Sequence, residues 1–221
     1  HRIPKKVHDI AMKIVSRISK RLPKDWKPKT VQGSLTRYSN FENVDMSKGE
    51  WIVLARTRFM LNELEEVLYR KGLYYKNKFK KSYEEGLYNA ITNWEQWKKG
   101  SVMNPDQIKQ IYNYMSPKHA DKTQLLLMNK DAHYSLDDCK EKFGLRTNSV
   151  WYESLDDAPW RKVEYIRKMR SNGEQLNKTP RILLSTIHGV KGGEAQNVVL
   201  LTDLSLNTQK GYDRNPDDEN R

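Results

Sequence analysis

Residues 183–201 read LLSTIHGVKGGEAQNVVLL, and within nine positions they carry Thr186, His188, Lys191, Glu194 and three glycines. Closely spaced glycines leave backbone N–H groups open to an anion, because no Cβ stands in the way. Thr186 and His188 can hydrogen-bond a phosphate or a sugar, Lys191 adds positive charge, and Glu194 can accept from a ribose hydroxyl. Neither Lys191 nor Glu194 belongs in a core. The plainer alternative is a glycine turn bearing exposed charges, and spacing alone leaves both readings open.

The loop needs strands to hold it. Ile182 to Ile187 and Val198 to Leu201 are β-prone aliphatic runs, joined by His188 to Gln196. That joint is too long for a tight hairpin and short for a full parallel crossover, but it has room for one turn of helix. Upstream, Trp51 to Ala55 is a short continuous apolar run, the pattern of a strand buried on both faces. Met60, Leu61, Leu64, Val67 and Leu68 then recur at three and four, which predicts an amphipathic helix closed by Gly72. Residues 73–75, LYY, could start a further strand. A first helix is expected from the spacing of Ile3, Val7, Ile10, Ala11, Ile14, Val15 and Ile18, with Pro4 in its first turn and Pro23 and Pro28 ending the pattern.

Residues 80–177 change character. Aliphatic runs give way to short helical patterns separated by Gly and Pro, and two Asp pairs, Asp137–Asp138 and Asp156–Asp157, each precede one of them. Helix caps are the expected use of such pairs, with metal ligation the alternative. The fold expected is α/β, a RecA-like parallel sheet sandwiched by helices and interrupted by a mainly helical inserted subdomain. Its sheet domain would be split between 1–79 and 178–221, with the insertion at 80–177.

Forty basic residues against 28 acidic give a formal net charge of +12, which attracts polyanions. Twelve Tyr and six Trp add material for stacking on bases, although aromatics also fill cores. No apolar run approaches the roughly 18 residues of a membrane span, so no membrane partner is expected. One cysteine, Cys139, excludes an internal disulfide and suits a reducing cytoplasm; a structural zinc site is not expected either. The opening HRIPKK lacks an initiator Met and is read as the start of a soluble, monomeric piece of a longer protein.

The wording of the loop is more specific than its composition. Thr186, His188, Lys191, Gly192 and Glu194 fall where motif V of the UvrD/Rep-like superfamily 1 helicases has Thr-x-His-x-x-Lys-Gly-x-Glu ahead of a Val-rich strand. Residues 51–75, WIVLARTRFMLNELEEVLYRKGLYY, resemble the family's strand–Arg-Thr–helix segment. HRIPKKV at 1–7 resembles the end of motif IV, and NPDDENR at 215–221 the lead into motif VI, whose body is absent. The ordered matches cover about 120 residues on either side of 80–177, where the family's second RecA-like domain carries its insertion.

The resemblance implies an ATP-dependent DNA helicase or translocase moving on single-stranded DNA and opening a single-strand/duplex junction. Arg2 would be the catalytic arginine that reaches the γ-phosphate. His1, Arg2, Gly192 and Glu194 would bind nucleotide, with Glu194 on the ribose. His1 stands where the family commonly has a Tyr stacked on adenine. Arg56, Thr57, Thr186, His188 and Lys191 would meet DNA, and Gly193, commonly Leu in the family, would loosen the loop. No G-x-x-x-x-G-K-[ST] occurs, and Asp203 in VVLLTD is followed by Leu204 rather than an acidic residue, so neither Walker motif is read here. The Mg2+ that accompanies ATP would be held mainly by an N-terminal RecA-like domain of the same protein, which is also the expected partner. The alternatives are a non-catalytic nucleic-acid-binding or interaction module on a degenerate α/β core, and a metal-dependent nuclease using Asp137, Asp138, Asp156 and Asp157.

Overall fold

A computed structural model of the chain describes residues 3–19, 22, 24–78, 80–204 and 206–215. Helix α1 spans Lys5–Val15, with Pro4 one position ahead of the helix as its N-cap residue. After an extended stretch come strand β1, Trp51–Ala55, and helix α2, Arg58–Lys71. Gly72 ends α2 in the left-handed conformation, as its place after the apolar stripe predicts. Strand β2 is only Tyr75–Lys76. Five helices follow: α3 Glu85–Lys98, α4 Pro105–Tyr112, α5 Leu136–Lys142, α6 Trp151–Ser154 and α7 Trp160–Ser171. The chain then returns to β3, Ile182–Thr186, and β4, Asn197–Leu200, and closes with α8, Leu206–Arg214.

The four strands form one all-parallel sheet in the order β2-β3-β1-β4, giving the α/β architecture expected and consistent with a RecA-like fold. Trp51 pairs with Ile182 and with Asn197, so β1 lies between β3 and β4 in matched register. Side chains alternate across the sheet. One face presents Val53, Ala55, Ile182 and Leu184, all fully buried in a single cluster with Leu61, Leu64 and Leu68 of α2. The other presents Ile52, Leu54, Leu183 and Ser185, then Val198 and Leu200, which are 56% and 54% exposed on the edge strand.

The helical stretch is bonded back onto α2 before β3 begins. The Tyr165 ring stacks on Tyr69 with centroids 3.9 Å apart, and its hydroxyl donates to the Leu73 carbonyl at 2.7 Å. Asn172 Nδ2 donates to the Lys71 and Gly72 carbonyls at 2.8 and 2.9 Å, satisfying acceptors that a helix end leaves unpaired. Within the stretch, Trp94 and Trp97 are buried, and their indole N–H groups donate to the Ser149 and Tyr134 carbonyls. Such bonds are what an indole needs in order to be buried without cost.

The two Asp pairs separate in role. Ser135 caps α5, and Asp138 returns the bond to the Ser135 backbone in a capping box. Asp156 and Asp157, expected to cap a helix, do not: α7 starts at Trp160 after Pro159. Asp156 instead accepts from Ser116 N and Oγ at 2.8 and 2.7 Å, and Asp157 pairs with Lys122. Ala158 and Pro159 separate the pair from the helix, so Pro159 rather than an aspartate occupies the N-cap position. Helix α8 reaches Arg214, and none of its described residues is buried.

The two sheet faces differ in what they contribute. Leu184→Ala should lower unfolding free energy by about 2–5 kcal/mol in urea titration, whereas Leu200→Ala should stay within about 0.5 kcal/mol of the parent. Equal losses would contradict the one-sided core.

Candidate nucleotide and nucleic-acid interface

Because β3 and β4 run parallel on opposite sides of β1, the segment between them must cross the sheet and return to its starting end. It leaves from the carboxyl end, where Ile187 N donates to the Ala55 carbonyl at 3.1 Å. A single tight turn follows at His188–Val190, the one turn of helix that the spacing allowed. Thr186 Oγ1 accepts from Gly189 N at 3.2 Å and closes that turn. The segment arrives at the amino end, where Asn197 N donates to the Glu50 carbonyl at 3.1 Å. It is therefore pinned to β1 at both ends.

Gly193 sits in the middle of this crossing. Gly193 N donates to the Val190 carbonyl at 2.8 Å. A Cβ built there would come to 2.7 Å from Val190 Cγ2, 3.1 Å from the Val190 carbonyl oxygen and 3.7 Å from Ile52 Cδ1. The glycine packs closely against Val190 within the crossing itself and lies at ordinary contact distance from Ile52 of β1. Its neighbour Gly192 holds φ at 85° and a Cβ there would meet nothing, so that side of the bend opens to solvent.

The site residues fall into two groups. Thr186 and His188 stand at the carboxyl end of β3, and Arg56 and Thr57 leave the adjacent end of β1, which the Ala55–Thr186 pairing brings alongside. These four share the edge of the sheet where an open α/β fold binds ligands. His188 is exposed, while Thr57 and Arg56 are half-buried. Thr57 is the N-cap residue of α2 without a side-chain capping bond, and the first turn of that helix holds no acidic residue. Lys191, Gly192 and Glu194 lie further along the crossing, all exposed. One loop thus carries a hydroxyl and an imidazole near the sheet edge and an exposed lysine and glutamate further along the crossing. His1 and Arg2 lie outside the described residues, as do Pro216 to Arg221 of the C-terminal motif match.

Arg58 and Phe59 open α2, and Phe59, which falls off the Leu61, Leu64, Leu68 stripe, is 75% exposed. Among the described residues no three His, Cys, Asp or Glu groups are gathered for a metal ion. Cys139 is fully buried, and burial pushes its thiol up to about 12, which leaves it protonated and inert. Among the described residues no helix is long and apolar enough to cross a membrane.

No protein-family model, curated protein or solved structure matches the chain.

The crossing is testable by sterics. Gly193→Leu should lower unfolding free energy by about 1–3 kcal/mol, because the added side chain must displace Val190 or lift the segment from Ile52. Parent-like stability would mean that the segment does not pack on β1 as described.

Proposed function

We propose that the chain is the second RecA-like half, with its insertion, of an ATP-driven DNA helicase or translocase of the UvrD/Rep-like kind. The observation that carries this reading is the position of the Thr-x-His-x-x-Lys-Gly-x-Glu run. It forms the link between two strands of a parallel sheet and leaves from the edge where Arg56 and Thr57 also emerge. ATP is the substrate, and Mg2+ travels with it. The first RecA-like domain supplies the Walker motifs and the metal ligands.

In this reading Thr186, His188, Arg56 and Thr57 hold the phosphates of a single strand at the edge, with Lys191 adding attraction. Glu194 accepts from the ribose hydroxyl, Gly192 gives the nucleotide close approach to the backbone, and Arg2 stabilises charge on the γ-phosphate. Coupling follows from the pinned crossing. Its ends are tied to Ala55 and Glu50, so a pull on Glu194 is passed along a short, closely packed segment to His188. Duplex opening at a junction, a monomeric state and a cytoplasmic setting belong to the same proposal; the free, buried thiol of Cys139 accords with a reducing compartment.

The chain alone should turn over no ATP with or without DNA, and should bind an oligothymidylate strand with an affinity that falls steeply with salt. In the intact protein, Glu194→Ala should raise KM for ATP while leaving nucleotide-free DNA binding unchanged. His188→Ala should weaken that binding by about two- to tenfold, the worth of one or two hydrogen bonds, and lower DNA-stimulated turnover with it. DNA-stimulated hydrolysis by the chain alone, or parent behaviour in both variants, would overturn the proposal. Strand binding without any Walker A sequence in the intact reading frame would favour a binding module instead.

A further inference from the structure

We infer that the first turn of α1 and the extended stretch at 27–32 form a second phosphate-binding surface, on which Lys5, Lys6, Lys27, Lys29 and Thr30 take the backbone of a nucleic acid. The inference rests on the reading above for the class of its ligand, and adds a surface which that reading does not use.

Charge is unevenly spread along this chain. Residues 1–38 hold eleven of the 40 basic residues and two of the 28 acidic ones, so nine of the twelve net positive charges lie there. Over 39–221, 29 basic residues face 26 acidic. Cations there pair with carboxylates, as Arg161 does with Glu66, Arg170 with Glu95 and Arg181 with Glu174. Two carboxylates cannot neutralise eleven cations, and one of them, Asp25, already lies 3.8 Å from Lys27. None of the residues described between 3 and 40 is buried, so these lysines serve no core. Crowding like charge destabilises a fold, which leaves an anionic partner as its use.

The fold gathers this charge in one place. Lys5 N and Lys6 N donate to the Val31 and Gln32 carbonyls, both at 3.0 Å, and Lys29 N donates to the Ile3 carbonyl at 2.8 Å. Gly33 follows with φ at 68°, and a Cβ there would come to 2.5 Å from Pro4 Cβ. The stretch is therefore seated on the start of α1. Lys5 and Lys6 are set beside Lys29, with Lys27 two residues away, and all four are exposed. An open concavity is lined by Lys27, Pro28, Lys29, Thr30 and Val31. Each ammonium group brings three donors suited to phosphate oxygens, and Thr30 adds a hydroxyl.

A phosphate backbone fits this surface better than other anionic partners do. The core of a protein interface is depleted of charge, and none of these five residues is apolar. A lipid surface needs the apolar side of α1 free to insert, whereas Val7, Ile10, Ala11 and Val15 are half-buried. Phosphates repeated along a nucleic acid match cations carried on two adjoining segments.

The test measures binding of the 221-residue chain across a salt series. Its ligands are a labelled oligothymidylate, a duplex of equal length, and vesicles of mixed phosphatidylserine and phosphatidylcholine. Lys5→Gln, Lys6→Gln, Lys27→Gln and Lys29→Gln combined should weaken nucleic-acid binding by about ten- to hundredfold and flatten its salt dependence. Whichever of strand and duplex shows the loss is the form held. Lys99→Gln, Lys109→Gln, Lys118→Gln and Lys130→Gln combined remove the same charge from exposed positions of the helical stretch, and should change binding by less than about twofold. Both sets should keep the parent's melting temperature. Parent-like binding by the first set overturns the inference and leaves the proposed function standing. Equal loss from both sets also overturns it, by showing diffuse attraction to net charge. Tighter binding to vesicles than to either nucleic acid, lost with the first set, overturns it in favour of a lipid surface. A parent chain that binds no nucleic acid overturns the proposed function and this inference together.

Discussion

Two backbone hydrogen bonds, Ile187 N to Ala55 O and Asn197 N to Glu50 O, hold the rest of this architecture in place. They fix the segment between β3 and β4 to opposite ends of β1. A parallel arrangement forces such a crossing, and its length leaves no slack for a helix of ordinary size. The chain accordingly makes one tight turn, then a close approach at Gly193, then joins the edge strand. Chemistry-bearing side chains ride on that constrained path: His188 at the start, Lys191 and Glu194 along it.

The same constraint gives the sheet two unequal faces. The side under α2 is a dry core continuous with the helical stretch, through the Tyr69–Tyr165 stack and the Asn172 bonds to the end of α2. The opposite side carries the crossing and ends in exposed Val198 and Leu200. Parallel sheets are ordinarily covered on both sides, so the stability of this chain rests mainly on one face. The candidate site residues lie at the carboxyl edge and along the crossing, where Thr186 is half-buried and His188, Lys191 and Glu194 are exposed.

Much of this was legible in local pattern. The continuous apolar run at Trp51–Ala55, the three-and-four spacing of α2 and the glycine that ends it all express near-neighbour physics, and each element falls where that physics puts it. Strand order was not legible, because nothing local says that β1 lies between β3 and β4. Nor was the packing of Gly193, where an added Cβ would crowd Val190 in the folded crossing and meet Ile52 only at ordinary contact distance. Asp156 was misread for a similar reason, since its partner Ser116 is forty residues away.

Hydrogen exchange along the chain, with and without an oligothymidylate strand, tests the central claim most directly. The account predicts that the strand slows exchange at the backbone amides of 56–59 and 186–194 together, because one ligand covers both neighbouring strand ends. Protection confined to the helices of 80–177, or protection nowhere, would contradict it.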